Sequence, residues 1–272
     1  MTPGYCMEGV MKREPDIEIQ NTRKRPMWQV GSPDKILTSS LVSPKTMFYI
    51  RFMLFVYVAV VQGIRLTYIK KEGYIKFFFK FTNLSFLGLF IYFSSIMYFS
   101  YRYSKDDLYV KTFARKSVFL HLFLELQFTA LLVFHTIIPI VFWTMLFKTL
   151  PADLAPQNAF EWWVEISIHG LDFLIIFIDF VFTDLVLRPL CLVYVFVSGI
   201  SYYLWIALGA LTLTHTTEDG RIVPYYPYRF LNVQRYPKTA YVFYPSFLIF
   251  GALIFWVFYG VRRLKLYIIR RK

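Results

Sequence analysis

Blocks of about twenty mostly apolar residues recur along this chain and constrain its fold more than any other feature. A helix of about 20 residues crosses the hydrocarbon core of a bilayer. Helices of that length also satisfy their own backbone hydrogen bonds where no water is present. The chain is 57% hydrophobic, above the roughly 45–50% of a soluble domain. The sequence therefore predicts an all-α polytopic transmembrane helix bundle of about six spans, at about 46–67, 82–101, 118–146, 162–187, 191–213 and 241–261.

Polar segments flank the predicted spans and indicate how the chain is oriented. Residues 1–44 lack apolar periodicity and carry the basic run TRKRP at 22–26. This predicts a disordered basic cytosolic tail, or a basic patch lying on the membrane surface. A membrane domain is expected over 45–263, followed by a basic cytosolic tail at 264–272. Six spans place both termini on one side, and the basic connector at 102–116 marks that side as cytosolic.

The net charge of +13 indicates membrane lipids as partners rather than nucleic acid. The basic residues flank the apolar blocks, where they meet anionic headgroups, and no soluble aromatic platform accompanies them. The segment at 70–80 departs from this pattern, since it is basic on the predicted outer side. Two cysteines, Cys6 and Cys191, are too few for a zinc ribbon or a disulfide framework. The expected location is the endoplasmic reticulum or the plasma membrane.

The fourth predicted span carries a stripe of polar side chains along one face. At 100° per residue the stripe spans roughly 80° of the helix surface. Ionisable groups at membrane depth are costly and face a bundle interior or a wet cavity, so they indicate a functional site. Two other interpretations are open: a hydrogen-bonded seam between helices, or the lining of a proton, ion or lipid pathway. The stripe consists of Glu165, His169, Asp172, Asp179 and Thr183.

A hydroxyl nucleophile requires a base within hydrogen-bond reach, and the base requires an orienting partner. Thr82, or less readily Ser85, supplies the hydroxyl, and His169 supplies the base. The predicted topology places Thr82 and His169 at similar depth on one side of the membrane. Glu165 and Asp172 are the candidate orienting groups, and Asn83 is the candidate oxyanion donor. A threonine at a helix start also commonly caps the helix, which is the alternative role for Thr82.

The remaining histidines suggest a rival hypothesis. His121 and His135 lie on one face of the third span, as paired haem ligands do in membrane cytochromes. Each haem needs a second histidine, so one haem between His135 and His169 is the most this chain supports. A single metal ion at Glu165, His169 and Asp172 is another possibility. Structural polar contacts explain His121 and His135 more simply, so neither a cofactor nor a metal is expected.

Three motifs resemble those of a known family of membrane proteins. They are FKFTNLSFLGLFIYF around Thr82, SIHGLDFLIIFIDF at 167–180, and SYYLWIALGALT followed by VPYYPYRFL at 223–231. The chain resembles the androgen-induced-gene and androgen-dependent TFPI-regulating protein family over about 47–262. Animal members have a second histidine soon after the His-Gly pair, where this chain has Asp172 and Phe173. The resemblance implies a multi-span threonine hydrolase with Thr82 as nucleophile and His169 as base.

Together these observations predict a membrane-embedded lipid ester hydrolase. Its substrates would be fatty acid esters, including those of hydroxy fatty acids that the resemblance implies. The predicted cavity opens toward the outer leaflet between spans two, three and four, and its apolar walls hold an acyl chain. The alternative is a non-enzymatic membrane protein or transporter whose fourth helix lines a pathway. Thr82 separates the two hypotheses, because hydrolysis needs its hydroxyl and transport along the polar stripe does not.

Overall fold

The computed structural model describes residues 33–106, 109, 118–147, 156–216 and 222–270. Within these residues the structure is almost entirely helical. A 3₁₀ turn at Pro33–Ile36 is followed by α1 (Pro44–Glu72), α2 (Tyr74–Phe79), α3 (Phe81–Lys105), α4 (Val118–Val141), α5 (Ala159–Ile166), α6 (Asp172–Phe182), α7 (Pro189–Thr212) and α8 (Pro237–Arg270). Short π-helical turns follow α4 at Phe142–Leu146 and join α5 to α6 at Ser167–Leu171.

Five of these helical segments are long and apolar enough to cross a membrane. They correspond to the predicted spans one, two, three, five and six. The strands of the described residues are β1 (Thr214–Thr216) and β2 (Ile222–Pro224), which pair antiparallel. The prediction of an all-α transmembrane helix bundle is therefore confirmed.

Local sequence signals account for several of the helix boundaries. The Ser43 hydroxyl accepts a hydrogen bond from the Thr46 amide at the start of α1, and Pro44 occupies the first turn. The Asn158 side chain caps α5 in the same way by accepting from the Glu161 amide. Helix α1 ends at Gly73, whose φ of 84° suits glycine. Because α1 ends here, part of the basic segment at 70–80 forms the separate short helix α2 before the second span.

The fourth predicted span is one helical stretch from Ala159 to Phe182, interrupted by the π turn. Its length, roughly 35 Å at 1.5 Å per residue, matches a bilayer crossing. It ends at Phe182 rather than 187, with Thr183 as an extended C-cap residue. The polar stripe faces the bundle interior, as predicted: Asp172, Asp179 and Thr183 are fully buried and His169 is 6% exposed.

Helix α4 lies at the centre of the bundle. It packs against α3, α6, α7 and α8, and 56% of its most apolar window is buried, against 22–39% in the other four spans. The helix continues through Pro139, which has no amide hydrogen to donate, and changes to the π turn three residues later. This central position brings the side chains of α4 into contact with the polar face of the fourth span.

Both terminal boundaries differ from the prediction. Residues 33–43 belong to the ordered structure, because Ile36 and Leu37 are buried in the core. The Ile36 carbonyl also accepts hydrogen bonds from Arg51 and from Thr183, which hold the segment in place. At the other end α8 runs on to Arg270, so most of the predicted C-terminal tail is helix. Residues 1–32 of the tail predicted at 1–44, and residues 271–272, lie outside the described residues.

Candidate functional site

Thr82 is the second residue of α3 and is 9% exposed. The residue that caps α3 is Lys80, and the cap contains no side-chain hydrogen bond. The interpretation of Thr82 as a helix cap is therefore wrong. Its side chain instead lines a cavity with an empty volume of about 460 Å³, including the open mouth. Thr82 thus belongs to the wall of this cavity.

The cavity around Thr82 is built almost wholly from apolar and aromatic side chains. Its lining residues come from the second, third, fifth and sixth spans and from the loop after β2. The prediction that spans two, three and four line it is wrong for span four, because Phe142 of the third span stands between the cavity and His169. The wall includes Ile138, Phe142, Tyr202, Tyr228, Phe243 and Phe247.

Two tyrosines, Tyr202 and Tyr228, line the cavity together with Thr82. Tyr228 lies close enough to Thr82 and Tyr202 for their polar groups to act on the pKa of its phenol. Burial raises the pKa of the Tyr228 phenol, so it remains a neutral donor near pH 7. The Tyr202 hydroxyl donates to the Phe79 carbonyl at 2.9 Å. The motif VPYYPYRFL contains Tyr228, but the sequence does not show that this residue lies beside Thr82.

His169 lies in the π turn of the fourth span, where its backbone leaves the helical range at φ −130° and ψ 17°. Its ring stacks face to face on Phe142, with 3.5 Å between the ring centroids. Its Nδ1 lies 3.0 Å from a carboxylate oxygen of Glu165. The Trp143 indole donates to the His169 carbonyl at 2.8 Å and so ties the two π turns together. Bulges of this kind occur frequently at functional sites.

Phe142 is the link between Thr82 and His169. It lines the cavity that Thr82 faces, and its ring covers the His169 imidazole. The helix of Thr82 also contacts the π turn of His169 directly. No direct hydrogen bond joins the two side chains in the described part of the chain. The predicted orienting role of Glu165 agrees with this geometry, since its carboxylate holds the imidazole.

Asp172 pairs with His135, not with His169, for which the sequence made it a candidate orienting group. Its Oδ2 lies 2.6 Å from Nδ1 of His135 on α4, and both side chains are fully buried. Nε2 of His135 lies 3.1 Å from the Ser85 hydroxyl and 3.3 Å from the Ser85 carbonyl. The Asp172–His135 pair was missed because periodicity does not show which helix faces the stripe. The one hint in the sequence was Ser85, a second hydroxyl one helical turn after Thr82, which can bond a polar partner on a neighbouring helix.

Asn83 is engaged on both sides of its amide. Its oxygen accepts a 2.6 Å hydrogen bond from Arg65, and its nitrogen donates to the Phe77 carbonyl at 2.9 Å. These contacts fasten α1 and α2 to the start of α3. An oxyanion role for Asn83 stays a prediction, and the observed contacts give it a structural role.

Asp179 belongs to a separate network near the other end of the fourth span. Its Oδ1 accepts from Arg51 at 2.8 Å and its Oδ2 accepts from Tyr92 at 2.6 Å. Arg51 donates its remaining groups to the Ser100 hydroxyl and the Ile36 carbonyl, at 2.7 Å and 2.8 Å. All of these side chains are buried. The geometry assigns Asp179 to a buried ion pair that joins α1, α3 and α6.

The side-chain pairings bear on the haem and metal alternatives. Both nitrogens of His135 are engaged by Asp172 and Ser85, so neither points to an open coordination position for haem iron. Asp172 lies with His135, apart from the Glu165–His169 pair that the single-metal hypothesis joined to it. Within the described residues, no group of three His, Cys, Asp or Glu side chains is placed to hold a metal ion.

Comparisons with family models, curated proteins and solved structures find no match to this chain. The family resemblance in its three motifs therefore stays a prediction. The geometry brings together Glu165 with His169 and, separately, Asp172 with His135 and Ser85. Each of these histidines is held by a carboxylate, as is the general base of the Ser-His-Asp triad.

Proposed function

We propose that this protein is a membrane-embedded hydrolase of fatty acid esters, with Thr82 as nucleophile and His169 as general base. The observation that carries the proposal is the placement of Phe142. This one ring forms part of the apolar cavity that Thr82 lines and stacks on a histidine held by Glu165. The Phe142 ring thus separates an apolar cavity with a hydroxyl in its wall from an imidazole held by a carboxylate. Fatty acid esters are the substrates whose chemistry uses the cavity, the hydroxyl and the imidazole.

The proposed reaction proceeds in two steps. Thr82 Oγ attacks the ester carbonyl carbon while its proton passes to His169, which then gives that proton to the departing alcohol. Water next attacks the acyl-threonine, and His169 takes a proton from it and returns one to Thr82 as the fatty acid leaves. The Tyr228 phenol is placed to donate to the carbonyl oxygen as negative charge develops. Phe142 must swing aside for the imidazole to reach Thr82.

The pairing of the acidic side chains disfavours the pathway alternative. Each carboxylate of the stripe has its own partner: Glu165 with His169, Asp172 with His135, and Asp179 with Arg51. Groups on a proton or ion path face water or one another along a continuous cavity. The cavity at Thr82 is lined by other spans and contains none of these carboxylates. Hydrolysis is therefore the function proposed for this cavity.

Active-site labelling tests the proposal. The full-length protein, purified in detergent, is treated with a long-chain alkyl fluorophosphonate, and the adduct on Thr82 is measured by peptide mass spectrometry. We expect Thr82→Ala to abolish this adduct and Thr82→Ser to retain it. His169→Gln should slow its formation by about two orders of magnitude, the usual contribution of a general base.

The matched control for this test is Thr136→Ala. The Thr136 hydroxyl donates to the Leu132 carbonyl of its own helix at 2.7 Å, so its loss should leave labelling unchanged. Helical content by circular dichroism verifies that each variant is folded. A folded wild-type protein with no adduct on Thr82 would overturn the proposal.

We also propose that both termini face the cytosol, in the endoplasmic reticulum or the plasma membrane. The described basic residues Arg102, Lys105 and Lys265 support this orientation, because they lie at the ends of helices that would meet on one side. Glycosylation acceptor sites are introduced within residues 1–32 and, in a second variant, in the β1–β2 loop. Modification in the β1–β2 loop alone is expected, and modification within residues 1–32 alone would reverse the orientation.

A further inference from the structure

A second pocket lies beside the cavity of Thr82, between helices α3, α4 and α7. It is an open groove with an empty volume of about 820 Å³. Unlike the cavity at Thr82, it mixes apolar walls with hydroxyl and amide groups. The polar members of its lining are Ser85, Gln127, Tyr194, Ser198 and Ser201. A groove of this composition suits a ligand that is partly polar and partly apolar.

Ser85 is the point at which the groove meets a buried hydrogen-bonded chain. Its hydroxyl lies 3.1 Å from Nε2 of His135, whose Nδ1 lies 2.6 Å from Asp172. The three side chains come from three different spans, α3, α4 and α6. Their distances fall within the 2.6–3.2 Å expected between a nucleophile, its base and the group that orients the base.

Activation of the serine requires one direction of hydrogen bonding along this chain. With Asp172 as a carboxylate, which only accepts, Nδ1 of His135 carries the hydrogen between them. In that tautomer Nε2 has a lone pair that accepts the hydrogen of the Ser85 hydroxyl 3.1 Å away, and the Ser85 carbonyl lies 3.3 Å from the same nitrogen. The second oxygen of Asp172, Oδ1, is buried and has no hydrogen-bond partner within the described residues. A buried polar atom without a partner requires an explanation, and a catalytic role is one of those known.

We infer that Ser85, His135 and Asp172 form a second esterase centre, which acts on carboxylic esters of polar lipids bound in the groove. Ser85 Oγ bonds to the carbonyl carbon as its proton moves to Nε2 of His135. The imidazolium, held by Asp172, then protonates the departing alcohol oxygen. Water attacks the acyl-serine, His135 takes its proton, and the acid leaves as the proton returns to Ser85. This inference does not depend on Thr82 being a nucleophile.

The mixed lining of the groove indicates the substrate class. Phe134, Leu131 and Trp205 provide apolar surface for an acyl chain. Ser198 and Ser201 present hydroxyl groups along the same groove from helix α7. A substrate with a polar headgroup beside its ester satisfies both surfaces. A triacylglycerol would leave these hydroxyls facing hydrocarbon, which is unfavourable for polar groups.

A probe that marks the reacting atom tests the inference. The full-length protein in detergent is treated with an alkyl fluorophosphonate that carries a polar headgroup, and fluoride leaves as Ser85 Oγ bonds to phosphorus. Trypsin cleavage after Lys80 and Arg102 releases one peptide with Thr82, Ser85 and Ser94, and its fragmentation locates the adduct. We expect an adduct on Ser85 in wild type and in Thr82→Ala. The Ser85 adduct should be absent in Ser85→Ala and formed about 100-fold more slowly in His135→Gln.

Ser94→Ala is the matched control, since Ser94 lies on the same helix and donates to the Phe90 carbonyl at 2.7 Å. Its labelling should equal that of wild type. Ser85→Cys provides an independent measurement if Ser85→Ala fails to fold. His135 should activate the introduced thiol, so that iodoacetamide modifies Ser85→Cys at least tenfold faster than Ser94→Cys.

The outcomes separate this inference from the proposed function. An adduct on Thr82 alone in the folded protein overturns the Ser85 centre and supports the Thr82 hydrolase. An adduct on Ser85 alone has the reverse meaning. Equal thiol reactivity of Ser85→Cys and Ser94→Cys also overturns the inference, because a purely structural serine would not be activated.

Discussion

The two buried aspartates of helix α6, Asp172 and Asp179, occupy opposite kinds of environment on the same face. Both are fully buried. Asp179 has both oxygens occupied, by the Arg51 guanidinium and the Tyr92 hydroxyl. Asp172 has one oxygen on the His135 imidazole and one without a hydrogen-bond partner in the described structure. A guanidinium only donates hydrogen bonds, whereas an imidazole nitrogen can also accept a proton.

This difference shows that a carboxylate at membrane depth is not in itself a sign of chemistry. A carboxylate with both oxygens occupied, one of them by a buried cation, has no free oxygen for proton transfer, and breaking the ion pair destabilises the fold. A carboxylate that holds an imidazole, which in turn faces a hydroxyl on an open groove, is arranged for proton transfer. The partner decides the role, so stability and reactivity should separate when the two aspartates are altered.

The largest effect on stability is expected from Asp179→Ala. The substitution leaves the Arg51 guanidinium buried without a counter-charge, which costs about 3–5 kcal/mol. The midpoint of thermal unfolding in detergent should fall by on the order of 10 °C. The control is Asp184→Ala, because Asp184 is 13% exposed and its nearest cation, Lys265, lies at 3.6 Å. If Asp179→Ala unfolds at the same midpoint as wild type, the prediction is wrong and Arg51 is stabilised by other partners.

The helical spans and their inward polar face follow from the sequence, because burying apolar blocks and hiding ionisable groups are local requirements. The partners of those groups do not follow, since they depend on which helices meet. His135 illustrates the limit: nothing in the third span indicates that it faces Asp172 rather than lipid. The order of segment 33–43 was not predicted for the same reason, because it depends on contacts with residues distant in sequence, Arg51 and Thr183.

A single irregularity explains why Glu165, and not Asp172, pairs with His169. A uniform helix places both carboxylates near the face of His169, so the sequence left both as candidate orienting groups. The π turn at Ser167–Leu171 widens the helix locally and changes the direction of the side chains that follow it. His169 therefore stays with Glu165, while Asp172 turns to α4. The sequence has no proline in this turn to mark the irregularity.

Compared with Asp179→Ala, we expect Asp172→Asn to cause a smaller loss of stability and a larger loss of Ser85 reactivity. The amide can still form a hydrogen bond with His135, which limits the loss of stability. We expect the free energy of unfolding to fall by roughly 1–3 kcal/mol, less than for Asp179→Ala. An amide that donates to Nδ1 moves the imidazole hydrogen to Nε2, where His135 no longer accepts the Ser85 proton. The rate of Ser85 labelling should therefore fall by at least about 100-fold.

Asp179→Asn is the matched control for Asp172→Asn, because it makes the same chemical change on the same helix. It should lower the melting midpoint more than Asp172→Asn does, since Arg51 loses its counter-charge, yet leave the labelling rate of Ser85 near that of wild type. Melting curves and labelling rates measured on the same preparations test this separation. If both variants lose labelling in proportion to their loss of stability, the Asp172–His135–Ser85 chain is a structural contact like the Asp179 network. If labelling follows Asp172 alone, the difference between the two aspartates is chemical, and it arises from the proton that His135 can exchange and Arg51 cannot.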